Sequence, residues 1–188
     1  MKKISFKGIK FYSGNYYQIK NKFDNGGVLV APAASALANI DNDNLYFLSL
    51  KKSDIAILDS GFFCLLLRLF KFEKVRKLSG FLFLKSFLDE YKNKDKILLV
   101  DPSIKSNKVN YQYLRSKKIF NFKSYIAPKY KRNITDPILL RLVKKFKPRY
   151  IIMNIGGGTQ EPLAIYLRDK LKSKISIMCT GAAIAFMT

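Results

Sequence analysis

The sequence predicts an α/β protein built on a doubly wound, mostly parallel sheet of about six strands flanked by helices. Short apolar runs rich in β-branched residues recur along the 188-residue chain. They are continuous rather than alternating, the pattern of strands covered on both faces. Segments with helical character separate them, and strand alternating with helix implies a parallel sheet.

In chain order the strands are GVLVA (27–31), IAILD (55–59), KILLVD (96–101), IFNFKSYIA (119–127), RYIIMNI (149–155) and KISIMCT (174–180). Ser60 and Gly61 lead from the second of these into an apolar helix, GFFCLLLRLF. The clearest helix begins near Thr135. TDPILLRLVKKF places Asp136 and Pro137 in its opening turn and Ile138, Leu139, Leu142, Val143 and Phe146 on one face, and Pro148 ends it. Another runs from about Gln160 to Lys172, with Leu163, Ala164, Leu167 and Leu171 at helical spacing and lysines in the last turn, where they suit the helix dipole.

The length suits one domain, residues 1–188, with a substantial core. No repeat or low-complexity segment interrupts it. EYKNKDK (90–96) and KYKRN (129–133) are charged loops too short for domain linkers. The opening MKKISFKGIKFYSG is basic but lacks the continuous apolar core of a signal peptide. The most apolar stretch, 62–70, carries Arg68 and is far below the roughly 20 residues that cross a bilayer.

Lys and Arg number 35 against 13 Asp and Glu, a formal charge of +22 that calls for an anionic partner: nucleic acid, acidic lipid or a phosphorylated substrate. A lysine-rich surface without a dedicated partner is the plainer alternative. The chain contains no histidine. That removes imidazole acid–base chemistry, His-paired nucleophiles and His-ligated metal sites, and leaves a carboxylate, Lys, Tyr or Cys as proton acceptor. Cys64 and Cys179 both lie in apolar runs and read as buried small hydrophobes of a reducing compartment.

Ligands of such a sheet gather outside the carboxyl ends of the strands. The windows to search are therefore 31–36, 59–62, 101–103, 127–130 with Tyr130, 156–161 and 180–183. Asp59 closes an otherwise apolar strand, where burial raises a carboxylate's pKa and a general base is useful; a helix cap or a ribose-binding aspartate is the competing reading. GGGTQE (156–161) opens a helix after a buried strand. Gly157 and Gly158 let a phosphate approach the backbone, with Thr159 beside them, unless the segment is only a tight strand-to-helix turn. Thr180 and Gly181 repeat that geometry after the last strand. Asp41 and Asp43 spell Asp-x-Asp, a divalent-metal pattern, but in an Asn-rich stretch between helices a turn with a helix cap is the plainer reading. KKFKPRY (144–150) and YKRNI (130–134) interleave basic and aromatic residues as a nucleic-acid surface would, although no nucleic-acid-binding signature accompanies them.

The ordered set GVLVAPAASAL, LKKSDIAILDSGFF, RKLSGFLFL, FKPRYIIMNIGGGTQEPLAIYLRDKL and ISIMCTGAAIAF resembles the WecG/TagA/CpsF family of bacterial glycosyltransferases over residues 25–188. The resemblance implies a Rossmann-like enzyme. Such an enzyme moves an N-acetylmannosamine-type or related sugar from a UDP-sugar to a polyprenyl-diphosphate-linked acceptor, with inversion and without an obligatory metal or other cofactor. It implies a peripheral protein on the inner face of the bacterial plasma membrane, in contact with an anionic membrane surface and self-associating, with no nucleic-acid partner. Asp59 matches the family's proposed base. Gln160 and Glu161 match a Gln-Glu pair set against donor sugar or pyrophosphate. Lys77, with Arg76, stands near an arginine suited to the leaving diphosphate. The sequence departs from the family at three places. Ala31-Pro32-Ala33 keeps only Pro32 of the usual Thr-Pro-Asn, Ser60 separates Asp59 from Gly61, and the family's carboxyl-terminal appendage is not matched. A non-catalytic binding module for nucleic acid or an anionic surface, and a pseudo-enzyme partner of another transferase, are the alternatives.

Overall fold

Eight strands, two more than expected, join one sheet in the computed structural model, which describes residues 1–38, 40–71, 74–131 and 134–187. The six expected strands are present and somewhat shorter: β3 Gly27–Val30, β4 Ile55–Ile57, β5 Ile97–Asp101, β6 Phe122–Ile126, β7 Tyr150–Met153 and β8 Ser176–Cys179. The additions are β1 Lys2–Phe6 and β2 Ile9–Ser13, an antiparallel hairpin turning on Lys7 and Gly8, both at positive φ as a two-residue hairpin loop requires. Ile4, Ile9 and Phe11 are buried between exposed lysines. The alternation was visible in KKISF-KG-IKFYS, but it lacks the continuous apolar run of a strand covered on both faces.

The strand order is β1-β2-β4-β3-β8-β7-β5-β6, and every pair but the first is parallel. The carboxyl ends of β2 to β8 therefore share one edge of the sheet. β6 lies at the far edge, and its residues are half-buried or exposed rather than covered on both faces as the sequence suggested. An edge strand has a neighbour on one side only.

Helices cover both faces. One layer holds α2 Ala34–Ala38, α3 Asn44–Lys52, α4 Gly61–Lys71, α7 Pro137–Phe146 and α8 Gln160–Leu171, whose Leu37, Leu50, Leu67, Val143 and Leu163 pack on Val28, Val30 and Ile151. The other holds α1 Tyr16–Phe23, α5 Gly80–Glu90, α6 Ile104–Ser116 and a 3-10 segment, Gly181–Phe186, over Leu29, Ile57 and Ile152. α7 begins and ends where its sequence indicates. Asp136 accepts from Leu139 N–H at 2.8 Å, Pro137 fills the first turn and Lys147 closes it in the left-handed region at φ 53°. Leu139 and Val143 are buried, but Ile138, expected on the same face, is 61% exposed. Among the described residues no helix is long and apolar enough to cross a membrane.

Candidate active site

The turn after β4 brings the expected base into view. Ser60 Oγ accepts from Phe63 N–H at 3.1 Å and its carbonyl from Cys64 N–H at 3.0 Å, so Ser60 caps α4. The serine that departs from the family pattern thus takes the capping role that competed for Asp59. The half-buried Asp59 instead accepts, through Oδ1, the N–H of Gly80 at 2.7 Å. Leu78 N–H donates to Leu58 O at 3.1 Å, fastening the segment before α5 alongside the end of β4. That segment carries two exposed cations. Arg76 is pinned by its backbone N–H on Ser13 Oγ at 2.7 Å. The Lys77 ammonium lies 3.8 Å from where a Cβ on Gly61 would stand.

Gly80 is a crossing point that the sequence did not reveal. A Cβ there would stand 2.9 Å from Ala31 Cβ and 3.5 Å from Thr180 Cγ2. The ends of β3, β4 and β8 therefore meet over one glycine. Ala31 is also where the family motif has a threonine, and here its methyl abuts Gly80. Gly80→Ala is expected to cost about 1–3 kcal/mol through overpacking, read as a lower urea midpoint at unchanged slope. A midpoint equal to wild type would show that the junction relaxes freely.

The glycine turn continues the same edge. Gly156 and Gly157 have nothing within 4 Å of an added Cβ, which leaves open floor above the backbone, and Gly158 sits at φ +79°. Gln160 and Glu161 are buried and bonded to each other rather than exposed. Gln160 Nε2 donates to Glu161 Oε1 at 2.9 Å, Gly158 N–H donates to Glu161 Oε2 at 2.8 Å, and Gly181 N–H donates to Gln160 Oε1 at 3.0 Å. The pair therefore ties the first glycine turn to the last. The group that accepts the Gly158 N–H at the start of α8 is thus the chain's own Glu161 carboxyl. Burial pushes the Glu161 carboxyl up to about 7, against the pull of its N–H donors. Thr159 occupies the cap position of α8 without a side-chain capping bond, and Thr180 Oγ1 is buried with no hydrogen-bond partner among the described residues.

The remaining expected residues divide. Pro32 is buried behind β3. Tyr130 donates to Asp136 Oδ2 at 2.7 Å, with Tyr125 donating to the same oxygen at 2.9 Å; burial raises the Tyr130 hydroxyl pKa. Asp43 caps α3 by accepting from Tyr46 N–H at 2.9 Å, and Asp41 pairs with Lys7. An added Cβ on Gly158 would stand 3.6 Å from Asp43 Oδ2, so Asp43 reaches the glycine turn from a loop whose plainer sequence reading is a turn with a helix cap. In the basic patch 144–150, Arg149 donates to the carbonyls of Lys174 and Asp24, and Phe146 is faced by Lys96 and Lys123. Of the patch at 130–134, residues 132 and 133 lie outside the described residues.

A cavity of about 390 Å³ opens at the same edge, its walls mostly apolar, from Pro102, Val109 and Ile184 among others, with Lys105, Ser106, Asn110 and Asn154 as its polar lining. Beneath it Asp101 is fully buried and accepts from the side-chain amides of Asn107, Asn110 and Asn154 at 2.7–2.8 Å. Both oxygens of Asp101 thus have amide partners. Asn154 Oδ1, by contrast, is buried without a hydrogen-bond partner among the described residues. Asn154 escapes sequence reasoning because it sits inside an apolar run, IIMNIGGG, one residue past the strand. Its polarity in that context was the available signal. The described residues hold no group of three or more His, Cys, Asp or Glu side chains placed to bind a metal ion.

The fold, the strand-end aspartate and the paired glycine turns can be set against known sequences. The model of the Glycosyl transferase WecG/TagA/CpsF family matches residues 7–188. No curated protein matches the chain.

Proposed function

We propose, from the premise that the chain belongs to the WecG/TagA/CpsF family of glycosyl transferases, that it transfers a sugar from a UDP-sugar to a hydroxyl of a polyprenyl-diphosphate-linked acceptor, with inversion. The acceptor places the enzyme at the cytoplasmic face of a bacterial plasma membrane, in the synthesis of cell-envelope polysaccharide. The observation that carries the reading is the unbroken chain of contacts along one sheet edge. It runs from Asp59 through Gly80 to Ala31 and Thr180, and from Gly181 through Gln160 and Glu161 to the open glycine turn.

In this reading Asp59 is the general base. Gly80 N–H fixes the carboxylate through Oδ1. Asp59 takes the proton of the acceptor hydroxyl as that oxygen attacks the anomeric carbon. The bond from that carbon to the UDP oxygen breaks, and UDP departs with the electron pair. Lys77, whose ammonium lies near Gly61, and Arg76, in the segment that Leu78 fastens beside the end of β4, offset the charge developing on the diphosphate, and we assign that task to these cations rather than to a divalent ion. The open floor over Gly156 and Gly157 receives the donor's sugar–phosphate end. Gln160 and Glu161 serve by holding the two glycine turns in register. The nucleoside occupies the cavity lined by Asn154, Asn110, Ser106 and Lys105, where apolar walls with a few polar side chains suit a base.

A thermal-shift titration tests the donor assignment. UDP at 100 times its dissociation constant should stabilise the fold by about 2.7 kcal/mol, and Asn154→Ala should weaken that response. No shift with millimolar UDP, joined to no heat of binding in calorimetry, would remove the donor from the proposal.

A further inference from the structure

One apolar surface of the molecule takes no part in the proposed chemistry, although Arg76 and Lys77 on its border do. α4 is apolar on nearly every side. Phe63, Cys64 and Leu67 pack inward and are buried. Facing out are Phe62, Leu65, Leu69 and Phe70, which are 63%, 48%, 59% and 77% exposed. Their spacing of three, four and one residues lays a stripe along about two and a half turns. The stripe continues into an apolar groove of about 240 Å³ between α4 and α2, where Leu37, Phe6 and Leu66 join Phe62 and Phe70. Monomeric proteins rarely leave so contiguous an apolar patch without a use.

Charge selects what covers it. Residues 68–77 of the sequence hold five basic side chains and one acidic one. Among them Arg68, Lys74, Arg76 and Lys77 are exposed beside the stripe. An outward row of Phe and Leu bordered by Lys and Arg is the composition of a helix that lies in a bilayer interface, its apolar face among the acyl chains and its cations at anionic headgroups. A second copy of this chain brings another +22 and the same basic border to the contact, so like charges oppose that pairing.

We propose that α4 is an in-plane membrane-docking helix for an anionic phospholipid bilayer. The docking stands on the stripe and its basic border alone. One consequence rests on the glycosyltransferase reading: Asp59 lies two residues before α4, so the docked helix sets the base at the membrane surface, where a lipid-linked diphosphate presents its hydroxyl.

The chain contains no tryptophan, so Phe70→Trp supplies a lone indole, excited at wavelengths where the tyrosines do not absorb, on the exposed face of the otherwise unchanged full-length protein. With vesicles of phosphatidylcholine and phosphatidylglycerol, its emission should shift to the blue and be quenched by brominated acyl chains. Neutral phosphatidylcholine vesicles should give neither response. In co-sedimentation, Leu65→Gln with Leu69→Gln should weaken binding by roughly 30-fold, from the loss of two inserted side chains. Lys74→Gln with Arg76→Gln should weaken it and flatten its salt dependence. A water-exposed emission with anionic vesicles, or unchanged co-sedimentation of the leucine pair at a wild-type melting temperature, overturns the proposal. A blue shift only when polyprenyl phosphate is added assigns the groove to the acceptor's tail and overturns it as well. So does a concentration-dependent shift without lipid, which assigns the face to a second copy. No donor or acceptor enters these measurements, so they fail or succeed separately from the UDP titration.

Discussion

Replacing Asp59 with asparagine is expected to lower sugar transfer by about 10²- to 10⁴-fold while UDP affinity stays within about twofold of wild type. The geometry makes this substitution informative. Asparagine keeps the size of the side chain, and its amide oxygen can still accept Gly80 N–H where Asp59 Oδ1 does at 2.7 Å. The crossing of β3, β4 and β8 over Gly80 is therefore preserved, and stability should change little. What is lost is an oxygen that can take and hold a proton. In a chain without histidine, no imidazole can stand in. Asp59→Ala makes the contrast, since it also leaves Gly80 N–H without its acceptor and should lower stability as well as rate. Single-turnover transfer to a lipid-linked acceptor, with UDP binding measured in parallel, separates the two effects. Turnover of Asp59→Asn within about fivefold of wild type would remove Asp59 from the base role. UDP binding without turnover in the wild-type chain itself would favour the pseudo-enzyme alternative, in which Ala31 and Ala33 have replaced the family's polar pair without compensation.

The parts of the fold that announce themselves are those where local chemistry and tertiary role agree. β3, β4, β5, β7 and β8 are apolar because both faces are covered, and α7 carries its cap, its proline and its stop in sequence. The β1–β2 hairpin escaped because it needs only one apolar face. At the site, strand-end position pointed to Asp59, Gly158 and Gly181, since any parallel sheet gathers ligands there. Sequence position could not tell that Ser60 rather than Asp59 caps α4, because neighbouring polar residues compete for the same amides. Nor could it show that Gln160 and Glu161 are spent on each other. Gly80 and Asn154 are single residues whose importance arises only from what distant strands bring beside them.

Between about pH 4.5 and pH 7 the protein is expected to lose stability as pH rises, and Glu161 is the cause. Its carboxyl titrates near 7 in the fold against an ordinary 4.5, because burial among apolar neighbours penalises the charged form more than Gly158 N–H and the Gln160 amide favour it. In that interval the unfolded chain has released the proton and the native chain still holds it. The native state binds more protons, so unfolding free energy falls with pH and levels off above 7. A shift of that size corresponds to a loss of up to roughly 3 kcal/mol. Asp89, held below its ordinary range by Lys117 and Lys85, acts with the opposite sign but below pH 4, outside this window. Glu161→Gln should flatten the profile between pH 5 and pH 7. Its absolute stability should fall, since one of the two N–H donors would then face an amide NH₂. The site adds a second consequence. If a diphosphate settles over Gly156 and Gly157, its charge raises the Glu161 pKa further, and UDP binding near pH 7 must take up protons. Calorimetry in buffers of different ionisation enthalpy reads that uptake directly. A flat urea-midpoint profile from pH 5 to 7 in the wild type would show that the carboxylate is solvated after all. A sloped profile without proton uptake would keep the buried acid and move the diphosphate away from the glycine turn.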